Sequence, residues 1–172
     1  LFIERDIKDA IVSHYFHFNN KYRNKISFSM YYFFLGRYKA YEISLFNYRC
    51  KKFMGDKNFF YYSDLIYNFE ETLREIARCL EIDDLSDKEL VTIKEQTTLV
   101  KLREELKKGR ISYYPSNKGA SFREGKVGGW RKYFTSSQLK DVTRIENEKF
   151  SILSKIVYLC IFSLRRIIFK IE

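Results

Sequence analysis

One proline, three cysteines, two histidines and one tryptophan are all that this 172-residue chain holds of those types, and each scarcity narrows what it can be. Cys50, Cys79 and Cys160 are odd in number, far apart and never in a CxxC pair, so neither a disulfide framework nor a zinc site is supported and a reducing, cytoplasmic setting is expected. No repeat and no low-complexity segment interrupts the sequence. The longest uncharged run of the tail, Ile156 to Leu164, falls far short of the about 20 apolar residues that span a bilayer. The opening LFIERD shows no initiator methionine, no basic n-region and no cleavage site, and reads as the inside of a folded domain.

What is abundant points to one packed unit with an anionic partner. Hydrophobic residues make up 45% and aromatics 18%, enough for a single core. Lys and Arg outnumber Asp and Glu by 32 to 22, a net charge of +10, which favours nucleic acid, a membrane surface or a phosphorylated small molecule. A nucleic-acid module would cluster its cations along one face. Here they are interleaved with acids, as in 102–108, the pattern of a solvated surface, so no nucleic-acid partner is expected. The basic, apolar segment 151–172 is expected to form a terminal helix, packed on the domain, in an oligomer contact or lying peripherally on a membrane.

Along the chain, Leu1 to Glu4 fits the tail of a buried strand, and Ile7, Ile11, Tyr15 and Phe18 fall at helical spacing behind it. Residues 26–53 are expected to form one long or two short largely buried helices. The β-rich stretch 58–63 predicts a second strand, and Asn68 is placed to cap a helix with Leu73, Ile76, Ala77 and Leu80 on one face. Ser86 and Glu89 have capping-box spacing. Thr97 and Thr98 interrupt the helix that begins there, and a charged helix resumes over 100–108. Residues 109–129 hold the only proline and five of the seven glycines, and so read as a functional loop. Ser136 or Ser137 is expected to cap a helix reaching about Phe150.

Three segments carry a more specific message. Arg5-Asp6-Ile7-Lys8-Asp9, followed by Ser13, sets a planar fork of donors at a strand end and a hydroxyl two turns into a helix, which suits phosphate; taken alone, Arg5 reads equally as a salt-bridge partner of Asp9. Phe60-Tyr61-Tyr62-Ser63-Asp64-Leu65 ends a strand on an aromatic that can border a purine, although alone Tyr62 reads as core. Phe122 to Thr135 is a basic, glycine-containing loop with Arg123, Gly125, Gly128, Trp130 and Phe134 at fixed offsets; glycines let a backbone approach phosphate closely.

Taken in this order, the segments resemble the cytosolic-type sulfotransferase family: its R-[ND]-P-[KR]-D motif with Ser, its Y-[ED]-D-[LM] strand and its R-K-G-x-x-G-[DE]-W loop. The resemblance covers residues 1–150 and corresponds to the C-terminal portion of that domain. It implies an α/β fold with a P-loop nucleoside-kinase-like parallel sheet flanked by helices, the part with the phosphosulfate-binding loop lying upstream. It further implies a cofactor, 3′-phosphoadenosine 5′-phosphosulfate (PAPS), held here by its 3′-phosphate and adenine side. By the resemblance Arg5, Ser13, Arg123 and Gly125 meet the 3′-phosphate, Glu124 stands where the family has a lysine, and Tyr62, Thr97 and Leu99 border the adenine.

No catalytic residue is assigned, since the family's base and phosphosulfate loop precede the first motif. His14 and His17 read as structural or surface residues. The chain by itself is therefore expected to be an incomplete, inactive portion of a transferase that sulfates a small-molecule or carbohydrate acceptor. The family's dimer motif, K-x-x-x-T-V-x-x-x-E, would fall on 131–140, where Arg131 and Thr135 fit and Ser136 and Lys140 do not.

Overall fold

The aromatic and β-branched runs become the two strands, as their preference for a pleated, half-buried surface requires. β1 (Phe2–Glu4) and β2 (Phe59–Tyr61) pair in parallel, Phe2 opposite Phe59, Ile3 opposite Phe60 and Glu4 opposite Tyr61. The computed structural model describes residues 1–21, 26–54, 58–82, 84–109, 125–147 and 160. Both strands are shorter than the expected 1–5 and 58–63, because a helix begins directly after each.

Asp6 ends β1 by capping α1 (Ile7–Lys21): its side chain accepts the Lys8 N–H at 2.8 Å and its carbonyl accepts that of Ala10 at 2.9 Å. Tyr62 likewise opens α4 (Tyr62–Tyr67) instead of closing the strand. Between the strands, α2 (Phe28–Tyr31), a π turn at Tyr32–Gly36 and α3 (Arg37–Met54) form the connection that a parallel pair needs. The expectation that this stretch is largely buried is corrected. Phe28, Tyr31, Tyr32, Ala40 and Ser44 are buried, but Phe33 is 69% exposed and Phe53 87%, since only one stripe of the helix faces a neighbour.

α5 (Phe69–Cys79) follows, then α6 (Asp87–Gln96), α7 (Leu99–Lys107) and α8 (Ser136–Glu146). Ser86 and Glu89 form the expected capping box, with Ser86 N–H to Glu89 Oε2 at 2.8 Å. Two caps differ from expectation. Asn68 precedes α5 but makes no side-chain cap bond, and Leu80, past the end of that helix, is exposed. α8 is capped by Thr135, whose hydroxyl accepts the Gln138 N–H while Gln138 Oε1 accepts the Thr135 N–H at 2.9 Å. That reciprocal pair starts the helix one position before a Ser136 cap would and two before a Ser137 cap would.

The core lies among α1, α2, the π turn and α8. Ile7, Ile11 and Val12 pack with Phe28, Tyr31, Tyr32, Ala40, Phe134, Val142 and Ile145. Helices after parallel strands make this a partial α/β fold, with two strands among the described residues. Among the described residues no helix is long and apolar enough to cross a membrane. The expected terminal helix over 151–172 and the loop centre at 110–124 fall outside them, except Cys160.

Candidate functional site

Parallel registry places the first two site residues. The pairing ends with Glu4 beside Tyr61, and the residues that follow the two strands, Arg5 and Tyr62, meet with the guanidinium 5.1 Å from the ring centroid. A cation over an aromatic face is held without a hydrogen bond. The Arg5 Nε is buried and has no hydrogen-bond partner among the described residues.

Both residues line a cavity of about 600 Å³ at the carboxyl ends of the strands, the place where open α/β sheets bind ligands. Its acids are all answered. Asn47 donates to Glu4 at 2.7 Å, the Lys8 ammonium reaches both oxygens of Glu146 at 2.8 and 2.9 Å, and Asp6 holds the N–H of Lys8. Burial pushes the Glu4 carboxyl above its ordinary value, opposed by the Asn47 bond and by Lys51. Asp9, 4% exposed, accepts the N–H of Gly128 at 2.6 Å and that of Trp130 at 3.0 Å. What the cavity leaves unmatched is therefore a cation, and a buried unpaired donor calls for an acceptor. An arginine in that state fits a phosphate group.

The far wall comes from the glycine loop. Val127 lines the cavity, and Gly125, two residues before it, has φ +60° and lies so close to Leu99 that a Cβ there would come within 2.9 Å of the Leu99 side chain. Only glycine meets both conditions without strain. Gly128, at φ +79°, is also left-handed, and its N–H goes to Asp9 instead of being left for a phosphate. The 3₁₀ turn that follows, Gly129–Lys132, sets Trp130 with Arg131 4.8 Å and Lys8 5.7 Å from its ring centroid.

Arg5 with Tyr62, and Leu99 with Gly125, are thus brought together. Ser13 is exposed on α1 and does not line the cavity, nor does Thr97, whose hydroxyl donates to the Ile93 carbonyl at 2.8 Å and closes α6. Arg123 and Glu124 lie outside the described residues. The alternative pairing of Arg5 with Asp9 does not occur, because Asp9 turns to the loop. Reading by sequence missed that link, along with Asn47 to Glu4 and Lys8 to Glu146. No pattern in the sequence marked Asp9 as buried, which the fold alone shows.

Parallel strands each followed by a helix, with a cavity at their carboxyl ends, define an α/β protein with a candidate ligand site. The chain belongs to the sulfotransferase family, whose domain model matches residues 1–154. It is 28% identical over 149 residues to mouse sulfotransferase 6B1, a match covering 83% of this chain and 47% of that protein. It also resembles the crystal structure of mouse sulfotransferase SULT7A1 complexed with PAP, with a TM-score of 0.66, 22% identity, and 94% of this chain set against 62% of that one. The chain spans about half the length of the curated relative that it matches, and the second likeness bears out the α/β fold.

Proposed function

We propose that this chain forms the 3′-phosphate and adenine side of a PAPS site in a sulfotransferase acting on a hydroxyl or amine acceptor, either a small molecule or a carbohydrate. One observation carries the reading: the buried Nε of Arg5, without a hydrogen-bond partner among the described residues, beside Tyr62 in a cavity whose acids are all satisfied. That a related fold is complexed with PAP supports it. Bound there, PAPS would supply the sulfuryl group. Arg5 and Arg123 would neutralise the 3′-phosphate, with Gly125 adding a donor and Glu124 beside them, while Tyr62 and Leu99 would border the purine; Ser13 and Thr97, which do not line the cavity, are left out of the site. The residues here bind and orient, and the in-line transfer, its base and the neutralisation of the leaving group belong to sequence outside this chain.

Calorimetry with 3′-phosphoadenosine 5′-phosphate (PAP) and with adenosine 5′-phosphate tests the site. In the full-length protein, Arg5→Ala should weaken binding of PAP by about 1.5–3 kcal/mol, the range for a charge-assisted hydrogen bond, and that of the nucleotide without the 3′-phosphate far less. Arg123→Ala should behave alike. Equal losses for the two ligands would assign Arg5 to another group.

The isolated 172-residue chain should show no sulfuryl transfer from PAPS with phenol, alcohol, amine or sugar acceptors. Turnover above background would mean that the catalytic groups lie within it.

A further inference from the structure

Asp9 is not needed by the site as described so far, yet it is the most deeply placed carboxylate near it. A nearly fully buried acid must be paired, and Asp9 is paired with backbone: its two oxygens accept the N–H groups of Gly128 and Trp130, at 2.6 and 3.0 Å. The left-handed backbone of Gly128 accompanies this close approach. Bonds from backbone N–H to an ionised carboxylate are among the stronger ones, so the stem of the glycine loop is tied to the first turn of α1.

That turn begins two residues after Arg5. Asp6, between them, caps it, and Val127, the residue before the tied glycine, lines the same cavity as Arg5. The two walls of the anion site, the strand end and the loop, are therefore set in register by a single carboxylate. We infer that Asp9 is a positioning residue for the 3′-phosphate: it holds the stem of the glycine loop, with Gly125, at the height where it and Arg5 can share one anion. The inference rests on the site proposed above.

The turn has a second anchor, which separates positioning from folding. Trp130 packs on the core and lies beside Lys8, itself bound to Glu146. Asp9→Asn keeps the volume of the side chain and one acceptor oxygen but turns an NH₂ towards the other N–H. The indole stays anchored, and what loosens is the backbone at Gly128.

The test uses the full-length protein, hydrogen exchange and calorimetry. In the wild type the Gly128 and Trp130 amides should be protected and PAP should bind more tightly than adenosine 5′-phosphate. In Asp9→Asn both amides should exchange faster, the affinity for PAP should fall about tenfold or more, as misplaced binding groups cause, and that for adenosine 5′-phosphate should stay within about twofold. Asp9→Ser, which also keeps one acceptor, is measured in the same way should the first variant fail to fold. If the wild type prefers PAP and the variant keeps the full preference, or loses both affinities equally, the positioning role is overturned while the site stands. If the wild type shows no preference, the site itself is overturned. Amides that exchange equally fast in both proteins would show that the latch is not formed.

Discussion

Replacing Phe134 by alanine is expected to lower the stability of the fold by roughly 3–5 kcal/mol, the usual loss for a buried aromatic. Its ring lies 4.9 Å from that of Phe28, 5.5 Å from that of Tyr32 and 6.2 Å from that of Trp130, so truncation opens a cavity where α2, the π turn and the loop stem meet. A domain has only about 5–15 kcal/mol to lose, and the variant should sit near the edge of folding. Phe53→Ala is the control. Phe53 is 87% exposed, and such a surface change should stay within about 0.5 kcal/mol. Urea denaturation of both variants decides the matter; similar midpoints would mean that Phe134 is not a core residue.

The second large effect is a pH dependence of stability. His14 makes a 2.7 Å hydrogen bond through Nδ1 with the hydroxyl of Tyr31. Burial, assisted by the charge of Lys39 and by His17, pushes the imidazole down to about 4, and burial raises the Tyr31 phenol, which keeps its proton. The unfolded chain takes up a proton near 6.5 and the folded one only near 4, so between these values the unfolded state binds more protons. The contribution of His14 is complete above about pH 6.5 and is lost progressively as pH falls towards 4, by up to about 3 kcal/mol. His14→Gln should flatten that part of the profile. Denaturation midpoints at pH 7.5 and 4.5 for both proteins provide the check, since parallel profiles would mean that His14 titrates normally in the fold.

Reading by sequence succeeded where the physics is local. The pleated runs Phe2–Glu4 and Phe59–Tyr61, the apolar spacing of Ile7, Ile11 and Tyr15, and the reciprocal Ser86–Glu89 bonds all depend on residues within about one turn or one strand of each other. It failed by one residue at Thr135, where three hydroxyls in a row compete and only the Gln138 contact selects among them. It also overestimated the burial of 26–53, because aromatic content does not say how many neighbours a helix has.

At the site, the sequence by itself determined which groups are present: an arginine leaving a strand, a tyrosine near the end of the next strand, and a glycine loop with tryptophan and phenylalanine at set offsets. The tertiary structure alone decided how they are engaged. It set Arg5 over Tyr62 just past the ends of the paired strands, left Ser13 on the surface, and turned Asp9 away from Arg5 towards Gly128, 119 residues distant in the chain. The physical reason is that propensity and capping are set by energies between near neighbours, whereas a buried carboxylate takes whichever donors the packed core presents to it. Those donors exist only once α1, α8 and the loop stem have come together.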